Sequence, residues 1–171
     1  MGLDFPVTIR LATTREVPEV IRLERRCLPA AHWSEQQYEE LFRTGEDAIG
    51  RLALIAVSTT SNDPQYAGKE ILGFLVARHL APEWELENIV VAPETRGKGV
   101  GARLLEELLA RAKQTNSDSV YLEVRESNLA ARALYGKCGF QEAGRRKSYY
   151  ANPSEDAVLY CKKLLPRPIS E

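Results

Sequence analysis

The 171-residue chain has little cysteine, little histidine and no long apolar run, and each shortage removes a class of function. The 3 cysteines, Cys27, Cys138 and Cys161, are odd in number and far apart, with no CxxC pair. This excludes a disulfide framework or a zinc knuckle and points to a reducing, cytoplasmic setting. His32 and His79 stand alone, without the HxxxH spacing of a metal site, so no metal is expected. Cys138 has no neighbouring His or cationic pair to activate it, and reads as a small packing residue rather than a nucleophile. Charge of one sign is also missing: 23 basic residues face 24 acidic ones. The balance predicts neither direct nucleic-acid binding nor an anionic membrane as partner. No window approaches the roughly 18 apolar residues of a membrane span, and Met1–Pro6 lacks a basic region followed by an apolar run. The chain reads as soluble and unprocessed.

What is present is regular periodicity. Val7–Leu11 alternates as a half-buried strand does. Thr13 or Thr14 caps a helix through Val17, Val20, Ile21 and Leu23, with Pro18 in its first turn and Pro29 beyond its end. Ser34 and Gln37 form a capping-box pattern that opens a second helix through Tyr38, Leu41 and Phe42, running until Gly45. Leu52–Val57 and Ile71–Ala77 read as strands joined by a polar, mobile tip, and Trp84–Val91 as a strand stopped by Pro93. From Gly99 the residues Leu104, Leu105, Leu108, Leu109 and Ala112 recur at helical spacing. Val120–Val124 is a further strand, Asn128–Lys137 a short helix closed by Gly139, and two strands follow, one from Phe140 and one over Ala157–Lys162. This order predicts an α/β fold: one domain over residues 1–171, with loose tails at 1–6 and 166–171 and a sheet of mixed direction.

Arg96-Gly97-Lys98-Gly99-Val100-Gly101 lies between the apolar end of a strand and the start of the clearest helix. Glycine lets backbone N–H groups approach an anion closely, and the helix N-terminus adds its positive dipole end. Arg96 and Lys98 add charge. A tight strand-to-helix turn would use the same glycines. The dinucleotide GxGxxG fails because Ala102, Arg103 and Leu104 follow Gly101, no GKS or GKT supplies a Walker loop, and no HRD or DFG completes a kinase.

The remaining pattern, R-x-x-G-x-G after Ile89-Val90-Val91-Ala92-Pro93-Glu94-Thr95, resembles the acetyl-CoA motif of the GCN5-related N-acetyltransferase (GNAT) superfamily. Leu122–Asn128, Ala130-Ala131, Leu134-Tyr135 and Gly139-Phe140 resemble the second half of its core. Arg145–Tyr150, Glu155-Asp156-Ala157 and Trp33-Ser34-Glu35 are similar to the RimI branch, the ribosomal-protein-alanine N-acetyltransferases. The resemblance is dense from Leu86 to Tyr160. It implies a mixed, mostly antiparallel sheet of about six to seven strands with about four helices, splayed between the strand ending at Val91 and the strand at Val120–Val124. Acetyl-CoA would be the donor, held by the Ile89, Val90 and Val91 backbone, by Arg96, Gly97, Lys98, Gly99, Val100, Gly101 and Ala102, and by Asn128. Glu123 falls at the branch's general base and Tyr135 at its general acid. Trp33, Glu85, Tyr149 and Tyr150 fall on the acceptor side, and Glu85 lies where histone-type members place a base.

The chemistry suits these residue types. A carboxylate can take the proton leaving an amine, and a phenol, with a reference pKa of about 10, is protonated at neutral pH and can donate to a departing thiolate. Each also has a plainer reading, Glu123 as a paired or solvated surface carboxylate and Tyr135 as a packing aromatic. The implied acceptor is a protein N-terminus, a ribosomal protein first among candidates. A small amine acceptor and a non-catalytic acyl-CoA-binding module are the alternatives. The polar stretch Thr59–Gly68 and His32, where the branch often has proline, depart from the pattern.

Overall fold

The computed structural model describes residues 6–27, 33–42, 50–58 and 70–164. Pro29, His32, Gly45, the Thr59–Gly68 stretch and the tail at 166–171 lie outside these residues. The elements run β1 (Val7–Leu11), α1 (Val17–Arg25), α2 (Glu35–Phe42), β2 (Arg51–Ser58), β3 (Ile71–Leu80), β4 (Glu83–Val91), α3 (Val100–Gln114), β5 (Ser119–Arg125), α4 (Leu129–Lys137), β6 (Gln141–Tyr150) and β7 (Glu155–Lys163). The strands form one 7-stranded sheet in the order β1-β2-β3-β4-β5-β7-β6. Every neighbouring pair is antiparallel except β4 and β5. The predicted architecture is therefore present, a mixed and mostly antiparallel sheet with four helices among the described residues. No helix among them is long and apolar enough to cross a membrane.

Local chemistry explains the helix starts. Glu16 and Thr13 close a reciprocal cap ahead of α1, and Pro18 sits in its first turn, where no N–H is needed. At α2 the Ser34 N–H donates to Gln37 Oε1 at 2.8 Å and the Gln37 N–H to Ser34 Oγ at 3.3 Å. Asn128 Oδ1 accepts from the Ala131 N–H at 3.2 Å and opens α4.

Two apolar cores lie on opposite faces of the sheet. One joins Leu104, Leu105 and Leu108 of α3 to Leu54, Leu75, Leu86, Leu122 and Val158. The other joins Val20 and Ile21 of α1 and Tyr38 and Leu41 of α2 to Ile55, Phe74, Val76 and Val90. Each buried leucine contributes roughly 1.5–3 kcal/mol by leaving water. Strand alternation assigns side chains to the two cores, but β4 changes phase. Val76 pairs with Asn88 and Ala77 with Leu86, so Glu87 is an extra residue. The bulge leaves Trp84 and Leu86 in the α3 core and places Asn88 against α1 and α2.

Candidate active site

β4 and β5 pair in parallel only from Glu83 opposite Ser119 to Leu86 opposite Leu122. Beyond that point the two strands separate. β4 continues to Val91 held by β3, and β5 continues to Arg125 held by β7. The opened edge of Glu87–Val91 thus carries backbone groups that no strand pairs on the β5 side, which is the predicted splay.

The turn after β4 leads to α3. Gly97 has φ of 73° and Gly99 φ of 93°, the left-handed region that favours glycine, and a Cβ built on either meets nothing within 4 Å. Gly101 differs: a Cβ there would come within 2.8 Å of Leu134 Cδ2. The third glycine therefore permits close packing of α3 on α4, a purpose its spacing did not reveal. Among the described residues, nothing accepts from the N–H groups of Gly97, Gly99, Gly101 and Ala102. Val100 and Val90 bury their side chains and present backbone only, whereas Ile89 and Val91 pack half-buried against the α3 core. Arg96, Gly97, Lys98 and Gly99 are exposed, and Arg96 Nε donates to the Val91 carbonyl at 3.3 Å.

On β5, Leu122 and Val124 belong to the α3 core, so Glu123 faces the α1–α2 side. Its carboxylate lies 3.1 Å from Arg146 Nε, and its interaction with the nearby Tyr149 hydroxyl raises that phenol above its ordinary range. Arg125 lies over the Tyr150 ring at 4.2 Å and pairs with Glu155 at 3.4 Å. Burial, then the Glu123 charge, pushes the Tyr150 phenol up as well. Glu85 is held by Arg78 at 2.7 Å. Both carboxylates considered as bases are therefore ion-paired. Tyr135 lies on the other side of β5, on α4, with its ring against Phe140 and Tyr160. Burial pushes its phenol well above the usual range and keeps it protonated. Among the described residues no hydrogen bond engages its hydroxyl. The Trp33 ring lies tilted beside Tyr38, 5.5 Å between centroids, with Arg51 over its ring at 5.8 Å. A surface cavity of about 460 Å³ lies between α1 and α2, lined by Pro18, Ile21, Arg22, Arg25, Arg26 and Glu35, and none of the predicted site residues lines it.

A family model described as the acetyltransferase (GNAT) family matches residues 17–140, well over half of the chain. The chain belongs to the GNAT family. It is an acetyl-CoA-dependent N-acetyltransferase. It is 32% identical over 154 residues to the [ribosomal protein bS18]-alanine N-acetyltransferase of Salmonella typhimurium, covering 89% of this chain and 94% of that protein. With the Haemophilus influenzae protein of the same name it is 42% identical over 93 residues, 53% of this chain and 63% of that protein. Among solved structures it resembles the ribosomal-protein-S18-alanine N-acetyltransferase of Escherichia coli, with a TM-score of 0.74, 27% identity and coverage of 97% and 100% of the two chains.

This GNAT chain has a cradle that fits its cofactor. The space that a Cβ would fill at Gly97 and Gly99 is open, and the unpaired N–H groups at the start of α3 suit a diphosphate. The edge from Glu87 to Val91 suits an extended amide chain.

Sequence reasoning missed a buried polar cluster at this edge. Glu24 of α1, 1% exposed, accepts at Oε1 from the Tyr38 hydroxyl at 2.7 Å and from Asn88 Nδ2 at 2.9 Å. A signal existed: Glu24 continues the apolar spacing of Val17, Val20 and Ile21, so the helical period places a carboxylate inside.

Proposed function

We propose that this enzyme acetylates the α-amine of a protein N-terminus in the cytoplasm, a ribosomal protein being the first candidate, with Glu123 as base and Tyr135 as acid. The observation that carries the reading is the end of the β4–β5 ladder at Leu86 and Leu122, with Glu123 following on one face of the sheet and Tyr135 packed on the other. Near full-length similarity to proteins named as ribosomal-protein-alanine acetyltransferases supports the acceptor class.

Bound acetyl-CoA supplies an activated thioester. The chain's part is to hold the diphosphate on Gly97–Ala102, to align the extended arm along Ile89–Val91, and to handle two protons. Asn128 spends its Oδ1 on the α4 cap, which leaves Nδ2 to reach the arm. Glu123 accepts the proton that the acceptor amine gives up, and an entering ammonium replaces Arg146 as its partner. Tyr135 Oη donates a proton to the departing sulfur, a role its burial suits because the phenol stays neutral. Burial also raises the Cys138 thiol, which leaves it a poor nucleophile and favours direct attack by the amine. Tyr149, half exposed, and Trp33 form walls on the acceptor side with Glu85.

The test is free-CoA release against peptides that differ in their first two residues, with small amines run in parallel. Turnover of peptides is expected. Turnover of small amines alone would overturn the protein N-terminal reading.

A further inference from the structure

The splayed end of β4 has a strand on one side only, yet it must hold its backbone still if it is to align a thioester. Three residues at the end of α1 and just beyond it reach this segment and the turn after it. Glu24 Oε1 accepts from Asn88 Nδ2 at 2.9 Å, Cys27 Sγ donates to the Val91 carbonyl at 3.7 Å, and Arg26 Nη2 donates to both carboxylate oxygens of Glu94 at 2.8 and 2.9 Å. Glu24 and Cys27 are three residues apart, as are Asn88 and Val91, so the end of α1 and the residues just after it lie along the opened strand, while Arg26 reaches the turn beyond it. They differ in weight. The Arg26–Glu94 pair is about half exposed and worth little on its own. The Cys27 contact is a weak thiol donor. Glu24 is buried, and its removal would take away the charged acceptor that Asn88 Nδ2 and the Tyr38 hydroxyl share, leaving Asn88 only the longer bond to the Tyr38 hydroxyl at 3.5 Å.

We propose that Glu24 is a positioning residue for acetyl transfer, in which one buried carboxylate fixes the donor cradle through Asn88 and the α2 wall through Tyr38. The inference rests on the reading of Ile89–Val91 as the thioester cradle. Asn88 directly follows the Glu87 bulge and directly precedes that segment, so a shift at Asn88 passes into Ile89–Val91 without an intervening joint. Tyr38 belongs to α2 and packs against Trp33 and Phe74, so the same oxygen also sets the distance of α2 from the sheet.

The experiment compares Glu24→Gln, Glu24→Leu and Asn88→Leu in the full chain. It measures kcat on an accepted amine, the acetyl-CoA Kd by calorimetry and the melting temperature of each protein. Glu24→Gln keeps an oxygen that accepts from both partners and is expected within about threefold of wild type in kcat and Kd. Glu24→Leu and Asn88→Leu are expected to lower kcat by about tenfold or more, because small misplacements of a reacting group are costly, and to raise the acetyl-CoA Kd by about fivefold. Asn88→Leu gives the second reading should Glu24→Leu fail to accumulate. A purely structural role would lower the melting temperature and leave kcat and Kd of the folded protein unchanged, and that result overturns the proposal. So does a Glu24→Gln variant as impaired as Glu24→Leu. If the wild-type chain turned over no peptide, the acceptor reading would fail, while the Kd series would still decide the role of Glu24.

Discussion

At the scale of single residues, Glu123 and Tyr135 are prepared in opposite ways. Glu123 is partly exposed and already paired with Arg146, while Tyr135 is enclosed and unpaired. Glu123→Gln and Tyr135→Phe are each expected to slow turnover by about 10²-fold or more with acetyl-CoA affinity close to wild type, because general acid–base groups act in the transition state. Steady-state CoA release and calorimetry measure the two quantities, and wild-type rates in both variants would defeat the assignment. Arg146 is more than half exposed, so its pair with Glu123 adds little to folding. Arg146→Gln is expected to change the melting temperature by no more than about 2–4 °C, read from a thermal melt. The residue types at positions 123 and 135 were legible from the chain through their resemblance to the second GNAT motif. The Arg146 pairing was not, because β6 reaches Glu123 only across β7.

At the scale of elements, the glycines divide by what lies beside them. A Cβ at Gly73 of β3 would come within 2.8 Å of the Val90 carbonyl and 3.2 Å of Val100 Cγ1, whereas Gly97 and Gly99 face open space. Gly73→Ala is therefore expected to destabilise the protein by about 1–3 kcal/mol, because backbone and the start of α3 must move apart. Urea titration measures it, and the acetyl-CoA Kd should rise with it. Gly97→Ala and Gly99→Ala carry only the left-handed backbone cost of about 1–2 kcal/mol, and put a methyl group where the diphosphate would sit. Each is expected to weaken acetyl-CoA binding more than its effect on stability explains. A variant that binds acetyl-CoA normally would exclude that glycine from the cradle. The Gly97–Gly101 turn was legible because its spacing is local. Gly73 was not, since its constraint comes from β4 and α3.

At the scale of the whole molecule, stability depends on acid-side titration of carboxylates tied into the ends of the sheet. Burial alone would raise the Glu16 carboxyl, but hydrogen bonds from Arg10 and Thr13 outweigh it and hold it below the usual carboxylate range. Hydrogen bonds from Ser127, with Arg125 beside them, do the same for Glu155. Both groups titrate lower in the folded chain than in the unfolded one, so the unfolded state binds more protons as the pH falls. Their contribution is complete above an unfolded pKa of about 4.3 and is lost as pH drops through the folded values. The melting temperature is expected to be level near neutrality and to fall below about pH 4.5, with a shallower fall in Glu16→Gln. A melting temperature that rises on acidification would contradict this.

The sequence by itself determined the order of strands and helices, the cap at Ser34, the Gly97–Gly99 turn and the family. Each of these is written in residues a few positions apart, within reach of local sterics, hydrogen bonding and periodicity. Only the tertiary structure decided where β4 leaves β5, that Glu87 bulges, that Gly101 serves helix packing, and that Glu24 meets Tyr38 and Asn88. Those outcomes depend on contacts between distant segments, where two cores on opposite faces of one sheet compete for the phase of a single strand.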